Sequence, residues 1–360
     1  MTSALPPNVI PFEAHPDAGF RRWLAQTQST LAVSTYQAGM LAFFSWNGEA
    51  ISVFLRRFEK VMGLDWDGVR LLLATRHALL VYANSKALAH RFREPGRYDA
   101  LYLPRISYPY PDLHIHDVAF GADGIWMVNT RFNCLARPSD EHTFEPLWRP
   151  QFITDLVPED RCHLNGLAMR DGKPAYVTAL AESNTAGGWR EHKVSGGVVI
   201  DFASGEIVTQ GLAMPHSPRC HEGSLYVLNS GAGELLQIDP ARGTREVVCR
   251  LDGYLRGLAF SGSYALIGLC QARETQIFGG MPVEIAHDRL KCGLAVIDLQ
   301  SGARIGLLEI TSGCTELFDI RVLTGQLRPA IVHTDAPDAL EAISVPDCYF
   351  WLRPENLIKD

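Results

Sequence analysis

The chain has 360 residues, 47% hydrophobic and 20% charged, with a formal net charge of −7. That much apolar material can fill a large core, while an acidic balance without any basic run argues against nucleic acid as a partner. No apolar run approaches the ~18 residues of a membrane span, which argues against a membrane partner.

Residues 1–28 read as an N-terminal extension in which 17–28, DAGFRRWLAQTQ, can form one short helix packed on the main body of the chain. From 29 to 350, short apolar segments alternate with turns punctuated by the 31 Gly and 21 Pro. LAVSTY (31–36) comes first, with no strand pattern ahead of it. A two-part unit then recurs. Its first part is a polar or bulky residue, Gly or Asp, then an apolar pair: Met62-Gly63-Leu64-Asp65, His116-Asp117-Val118-Ala119, Asn165-Gly166-Leu167-Ala168, His216-Ser217-Pro218-Arg219, Arg256-Gly257-Leu258-Ala259 and Phe318-Asp319-Ile320-Arg321. Its second part is a β-rich segment ending in small polar residues: LLLATR (71–76), IWMVNT (125–130), AYVTAL (175–180), LYVLNS (225–230) and ALIGLC (265–270).

A third pattern occurs in three copies, GGVVIDFASG (196–205), ELLQIDPARG (234–243) and GLAVIDLQSG (293–302). Each reads as a strand, then Asp bonding its own downstream backbone, then Gly at positive φ. The first parts start roughly 40 to 60 residues apart, the blade period of a propeller. The predicted fold is all-β, a single six-bladed β-propeller over 29–350, with 351–360 as a tail; five and seven blades are the alternative counts. ELFDIRVL (316–323) supplies a first strand to the orphan LAVSTY, so the chain ends share one blade and close the ring.

The first strand of a propeller blade lines the central channel, and alternate strand residues face one side. The residues expected at the channel mouth are therefore Lys60/Met62, His114/His116, His163/Asn165, Met214/His216, Tyr254/Arg256 and Glu316/Phe318. The bland reading of each histidine is a donor to a neighbouring loop carbonyl; that of Asp117 and Asp319 is a tie between blades. Arg256 could simply pair with Asp319 or Glu316.

The functional readings differ in chemistry. His116, His163 and His216, with Glu316, form a candidate set for one divalent transition metal, zinc or iron. Without metal, His116, His216 and Glu316 are the catalytic candidates for acid–base work. Arg256 would clamp a carboxylate or phosphate, with Asn165, Tyr254 and Lys60 completing a site for a small anionic molecule. Arg76, Arg131 and Arg273 are further candidates for the rim. Hydrolase, lyase and isomerase chemistry all suit such a set.

The alternative is a non-catalytic interaction scaffold. It expects the channel groups to satisfy one another and the binding surfaces to lie on the outer loops, 98–112 and 277–291. The eight cysteines stand singly with no CxxC pair, and read as reduced, mostly buried thiols. The first 15 residues lack the pattern of a secretory signal, so the expected compartment is the cytoplasm. No Walker A loop, dinucleotide fingerprint or nucleophile elbow occurs.

The runs HDVAFGADGIWMVNT, RCHLNGLAM, MPHSPRCHEGSLYVLNSGAGEL and YLRGLAF resemble a bacterial family of uncharacterised propeller proteins, from about residue 25 to residue 350. More loosely, a first strand followed by DG-x-[IL]-W is similar to the gluconolactonase/SMP-30, paraoxonase and strictosidine synthase-like propellers. In the first two, that likeness implies a divalent metal held by carboxylates and Asn. Asn165 and Glu316 match such positions, while the His and Arg residues depart from them.

Overall fold

The structure is a computed structural model and describes residues 11–271 and 279–352. Its strands form six small antiparallel sheets arranged as a six-bladed β-propeller. Blade 1 runs from its inner strand Ile320–Thr324 through Ser29–Thr35 and Met40–Trp46 to Ile51–Arg57. Blade 2 comprises Leu64–Trp66, Arg70–Ala74, Ala78–Asn84 and Ala100–Pro109. Blade 3 comprises Ile115–Gly121, Gly124–Asn129, Cys134–Arg137 and Glu145–Trp148. Blade 4 comprises Leu164–Arg170, Lys173–Ala179, Gly197–Asp201 and Ile207–Leu212; blade 5, Pro215–His221, Ser224–Asn229, Glu234–Asp239 and Thr244–Arg250. Blade 6 comprises Tyr254–Ser261, Tyr264–Cys270, Gly293–Asp298 and Arg304–Ser312. Each inner strand packs on the next, and that of blade 6 packs on that of blade 1.

The closure agrees with the sequence expectation. Ser29 pairs with Thr324 and Val33 with Ile320, antiparallel, so the strand after Phe318 completes the blade begun by LAVSTY. Six apolar layers, one between each pair of neighbouring blades, make up the core. Leu72, Val81, Val118 and Met127 fill the layer between blades 2 and 3, and Leu31, Phe44, Leu266 and Val296 fill the closing seam between blades 6 and 1.

The predicted helix is Ala18–Thr27, capped by Asp17, whose Oδ1 accepts from Phe20 N at 2.7 Å. Its apolar residues Phe20, Trp23 and Leu24 are buried in the closing seam, where each contributes on the order of 1.5–3 kcal/mol. The close fit needs Gly19, because a Cβ there would lie 1.9 Å from Ile305 O. The helix therefore clamps the ring at its join.

The third pattern also forms as expected. The carboxylates of Asp201, Asp239 and Asp298 accept from backbone N–H groups two or three residues downstream. Gly205, Gly243 and Gly302 sit at φ +74, +66 and +69.

Five features depart from the expectation. Glu13–Pro16 adds a fifth strand to the outer edge of blade 6, and Pro329–Ile331 adds a parallel strand to blade 2. Residues 98–112, expected as a loop, are largely the ten-residue strand Ala100–Pro109, with Pro104 accommodated at a register shift. Of 277–291, the described part holds the short helix Pro282–Ala286. A hairpin, Ala342–Val345 with Cys348–Trp351, lies beside blade 2. Among the described residues, no helix is long and apolar enough to cross a membrane.

Candidate functional site

The inner strands are not regular, and their irregularity builds the site. Opposite the motif residues, blades 3, 4, 5 and 6 each carry a register shift: at His116–Asp117, Asn165, Ser217–Pro218 and Gly257. A bulge of this kind re-aims side chains and bends the strand. Shortly before it, His114, His163 and Met214 stand at φ +54, +52 and +50, and Lys60 of blade 2 stands at φ +54, all outside the extended region. Simple alternation therefore fails at these positions.

The first motif residues form one buried layer of the channel, in blade order Phe318, Met62, His116, Asn165, His216 and Arg256. The His116 ring lies 5.5 Å from the Phe318 ring, and the Arg256 guanidinium lies 4.8 Å over the same ring. The Tyr36 ring lies 5.8 Å from that of Phe318.

The second motif residues tie the blades together in an alternating scheme. Asp319 of blade 1 accepts from Leu64 N of blade 2 at 3.1 Å. Asp117 of blade 3 accepts from Leu167 N of blade 4 at 3.0 Å, and Ser217 of blade 5 from Gly257 N of blade 6 at 3.1 Å. Blades 2, 4 and 6 carry Gly63, Gly166 and Gly257, where a Cβ would come within 3.0 Å of the next blade. This bears out the structural reading of Asp117 and Asp319.

Arg219 and Arg321 complete the tie. Arg219 reaches Asp117 at 2.7 Å and Asp319 at 3.3 Å; Arg321 reaches Asp319 at 2.8 Å and Asp65 at 3.0 Å. Asp319 is thus paired with these arginines rather than with Arg256. Burial alone would depress the Arg321 guanidinium, but Asp319, Asp65 and Asp117 outweigh it and hold it strongly cationic. Three carboxylates and two guanidinia bar the channel beneath the site. Beyond them lies a separate cavity of about 290 Å³, lined by residues of all six inner strands.

His116 and His216 are held alike. His116 Nδ1 lies 2.9 Å from His114 O and 2.7 Å from Thr130 Oγ1. His216 Nδ1 lies 2.8 Å from Met214 O and 3.2 Å from Ser230 Oγ. Burial, and then the neighbouring cationic or ionisable groups including Arg256, push both imidazoles well below the usual histidine range, so both are neutral near pH 7.

His163 joins this group from the side. Its ring is 4.8 Å from that of His116 and 4.5 Å from that of Trp189. Its Nδ1 sits 3.0 Å from both Asp160 oxygens, and Trp189 Nε1 donates to the same carboxylate. A carboxylate so placed orients the imidazole through Nδ1. Asp160 and Trp189 were not recognised from the sequence. Asp160 is reached only because it and His163 are both left-handed, and no spacing rule announces that.

Three polar atoms of the layer are buried without a protein partner among the described residues: Arg256 Nη1, His216 Nε2 and Asn165 Nδ2. Their residues are 8%, 3% and 4% exposed. Asn165 Oδ1 accepts from Thr178 at 2.7 Å, which leaves Nδ2 as the outward donor. Arg256 makes no ion pair among the described residues, and burial depresses its guanidinium. A buried cation in that state favours an anion next to it.

The other candidates lie elsewhere or apart. Lys60 grips Asp112 with both oxygens at 2.7 Å and lies over the Tyr36 ring. It lines a cleft of about 640 Å³ with Tyr36, Arg57, Arg76 and His333. Burial, and then Lys60, push His114 down to about 4. Arg131 bonds Asp112 O and His114, so it braces the loop. Tyr254 is buried in the apolar seam cluster and reaches Glu284. Glu316 is buried beside the layer. Arg273 lies outside the described residues. Cys162 is fully buried, which raises its thiol far above the nucleophilic range; the free cysteines are mostly buried, as expected. Among the described residues, no group of three or more His, Cys, Asp or Glu side chains is gathered as a metal site.

Comparison with known proteins agrees with the ring. A chain in the crystal structure of a nidogen/laminin complex is 10% identical, with a TM-score of 0.51, over 83% of this chain and 99% of that one. A protein of unknown function from Bacteroides caccae is 12% identical, with a TM-score of 0.48, over 82% and 98%. At such identity the first likeness speaks for the fold alone. No curated protein matches the chain. The family described as a domain of unknown function, DUF4915, matches residues 18–332, in agreement with the likeness to an uncharacterised propeller family; it says nothing of the looser likeness to lactonase-type propellers. The match spans most of the chain, inner strands and channel residues included, and the chain belongs to the DUF4915 family.

Proposed function

We propose that the protein binds a small anionic metabolite in the channel layer, with Arg256 as the anchor for its negative charge. The observation that carries this reading is the set of buried atoms at Arg256, His216 and Asn165 that have no partner among the described residues. A channel serving only as scaffold would satisfy these groups internally, since an unpaired buried polar group costs about 1–3 kcal/mol and a charged one more. The Asp–Arg barrier beneath the layer makes it a one-ended well, and Phe318 and Met62 supply an apolar wall.

The same layer places histidines for proton transfer. His163, held by Asp160, is the group best set to move a proton on a ligand anchored at Arg256, with His116 beside it. The reaction classes this serves are those of a hydrolase, lyase or isomerase. The test is a thermal-shift panel of small carboxylates and phosphates on the wild type and on Arg256→Met. At least one acid is expected to stabilise the wild type and not the variant. No shift with any member of the panel would overturn the proposal.

A further inference from the structure

The hydrogen bonds behind His116 and His216 decide which of their nitrogens carries hydrogen. A threonine or serine hydroxyl has one hydrogen to give. Thr130 gives it to Leu164 O at 2.6 Å, and Ser230 gives it to Leu255 O at 2.6 Å. Each hydroxyl can then only accept from its histidine. The second neighbour of each Nδ1, His114 O or Met214 O, is a carbonyl and also only accepts. Nδ1 is therefore protonated in both rings, and in the neutral imidazole Nε2 is a bare acceptor.

The alternation of the blades orders these groups around the channel. Blades 3 and 5 present the acceptors His116 and His216; blades 4 and 6 present the donors Asn165 and Arg256. Blades 1 and 2 present Phe318 and Met62. A plain carboxylate can satisfy Arg256 and Asn165, but its oxygens set lone pairs against the histidine lone pairs. The ligand has to bring a hydrogen-bond donor of its own. An ammonium donor would add a positive charge beside an already buried guanidinium, so a hydroxyl fits better.

We infer that the channel site selects small hydroxy acids, with the carboxylate on Arg256 and a hydroxyl donating to Nε2 of His216 or His116. This rests on the anion-site reading. The test is calorimetric titration of the full chain with three matched pairs: glycolate and acetate, lactate and propionate, malate and succinate, with alanine as the ammonium counterpart of lactate.

At least one hydroxy acid is expected to bind about tenfold or more tighter than its deoxy partner, and lactate tighter than alanine. In His216→Phe that ratio should fall towards one. Equal binding within every pair overturns the hydroxyl assignment and leaves the anion site standing. Tighter binding of alanine overturns it in favour of an amino acid. No binding by any of these acids overturns the hydroxy-acid assignment, and the anion site then stands or falls with the phosphates of the thermal-shift panel. Should His216→Phe fail to fold, nitrogen-15 NMR of the wild-type imidazoles is the second measurement. A protonated Nε2 at His116 and His216 near pH 7 would remove the basis of the inference.

Discussion

Replacing Arg256 by methionine should make the ligand-free protein more stable, not less. The guanidinium is nearly fully buried, makes no ion pair among the described residues and leaves Nη1 without a partner. Removing a charge from water costs several kcal/mol even after relaxation. The only evident return is its position over the Phe318 ring, worth about 0.5–2 kcal/mol. Methionine is of similar length, fills the space and needs no counter-ion. The net gain is then about 1–3 kcal/mol. For a chain of this length each kcal/mol raises Tm by about 1.3 °C, so the rise should be about 1–4 °C. A saturating acid at about 100 times its Kd would stabilise the wild type by about 2.7 kcal/mol and leave the variant unmoved, which evens or reverses the order. Urea and thermal denaturation in anion-poor buffer, with and without the best acid of the panel, check both halves. A ligand-free variant several degrees less stable than the wild type would show that Arg256 is a structural strut, and the anion reading would lose its foundation.

Stability should fall on acidification. The folded state holds His116 and His216 neutral, with their affinity for protons depressed by burial, while the unfolded chain takes up protons as the pH drops through about 6.5. Their contribution is complete above that pH and is lost below it, by about 1.4 kcal/mol each, or about 3 kcal/mol for the pair, between pH 7.5 and 5.5. Urea midpoints across that range check this, and a His116→Gln/His216→Gln double variant should flatten the slope. Asp319→Ala should cost about 3–5 kcal/mol, because it strips Arg219 and Arg321 of a buried partner and leaves Leu64 N unpaired; a loss below 1 kcal/mol in the same denaturation assay would mean that the barrier is not a structural tie. Gly166→Ala should cost about 1–3 kcal/mol, since its Cβ would lie 2.3 Å from Pro218 Cδ and 2.5 Å from Thr178 Oγ1; a neutral result would show that blades 4 and 5 can move apart.

The ring was legible because its signals are local and repeated. The Asp and Gly of the third pattern dictate a turn wherever they occur, and three copies at blade spacing leave few folds open. The closure was legible from a surplus: LAVSTY lacked a first strand and ELFDIRVL lacked a second. What failed was alternation at the inner strands. It assumes regular geometry, whereas Lys60, His114, His163 and Met214 are left-handed and, in blades 3, 4 and 5, a bulge follows within a few residues. His116, Asn165, His216 and Arg256 were still found, because the motif position, not the parity, marks the channel. Lys60 and Tyr254 were placed by parity, and one is bound to Asp112 while the other sits in the seam. Residues 98–112 were expected as a loop, whereas the outer strand of blade 2 accommodates Pro104 at a bulge and ends at Pro109. The strand at 329–331 is three residues long and parallel, too short to carry a pattern.

The bulge also explains why structure and chemistry occupy adjacent residues. In a regular strand His116 and Asp117 would face opposite ways, as would His216 and Ser217. With the extra residue, the first member of each pair faces the layer while the second reaches the next blade. The hydroxyls Thr130 and Ser230 serve both purposes at once, holding a neighbouring blade's carbonyl and setting the tautomer of a histidine. Ser34 makes the same reach from blade 1 to Met62 O at 2.5 Å, but Phe318 stands there in place of a histidine. The fold therefore supplies three equivalent seats in alternate blades, two of which hold imidazoles and one an aromatic wall. A histidine in place of Phe318 would find its Nδ1 partner waiting at Ser34, while Arg256 would lose the ring beneath it. The third seat thus holds the aromatic face over which the buried Arg256 guanidinium lies.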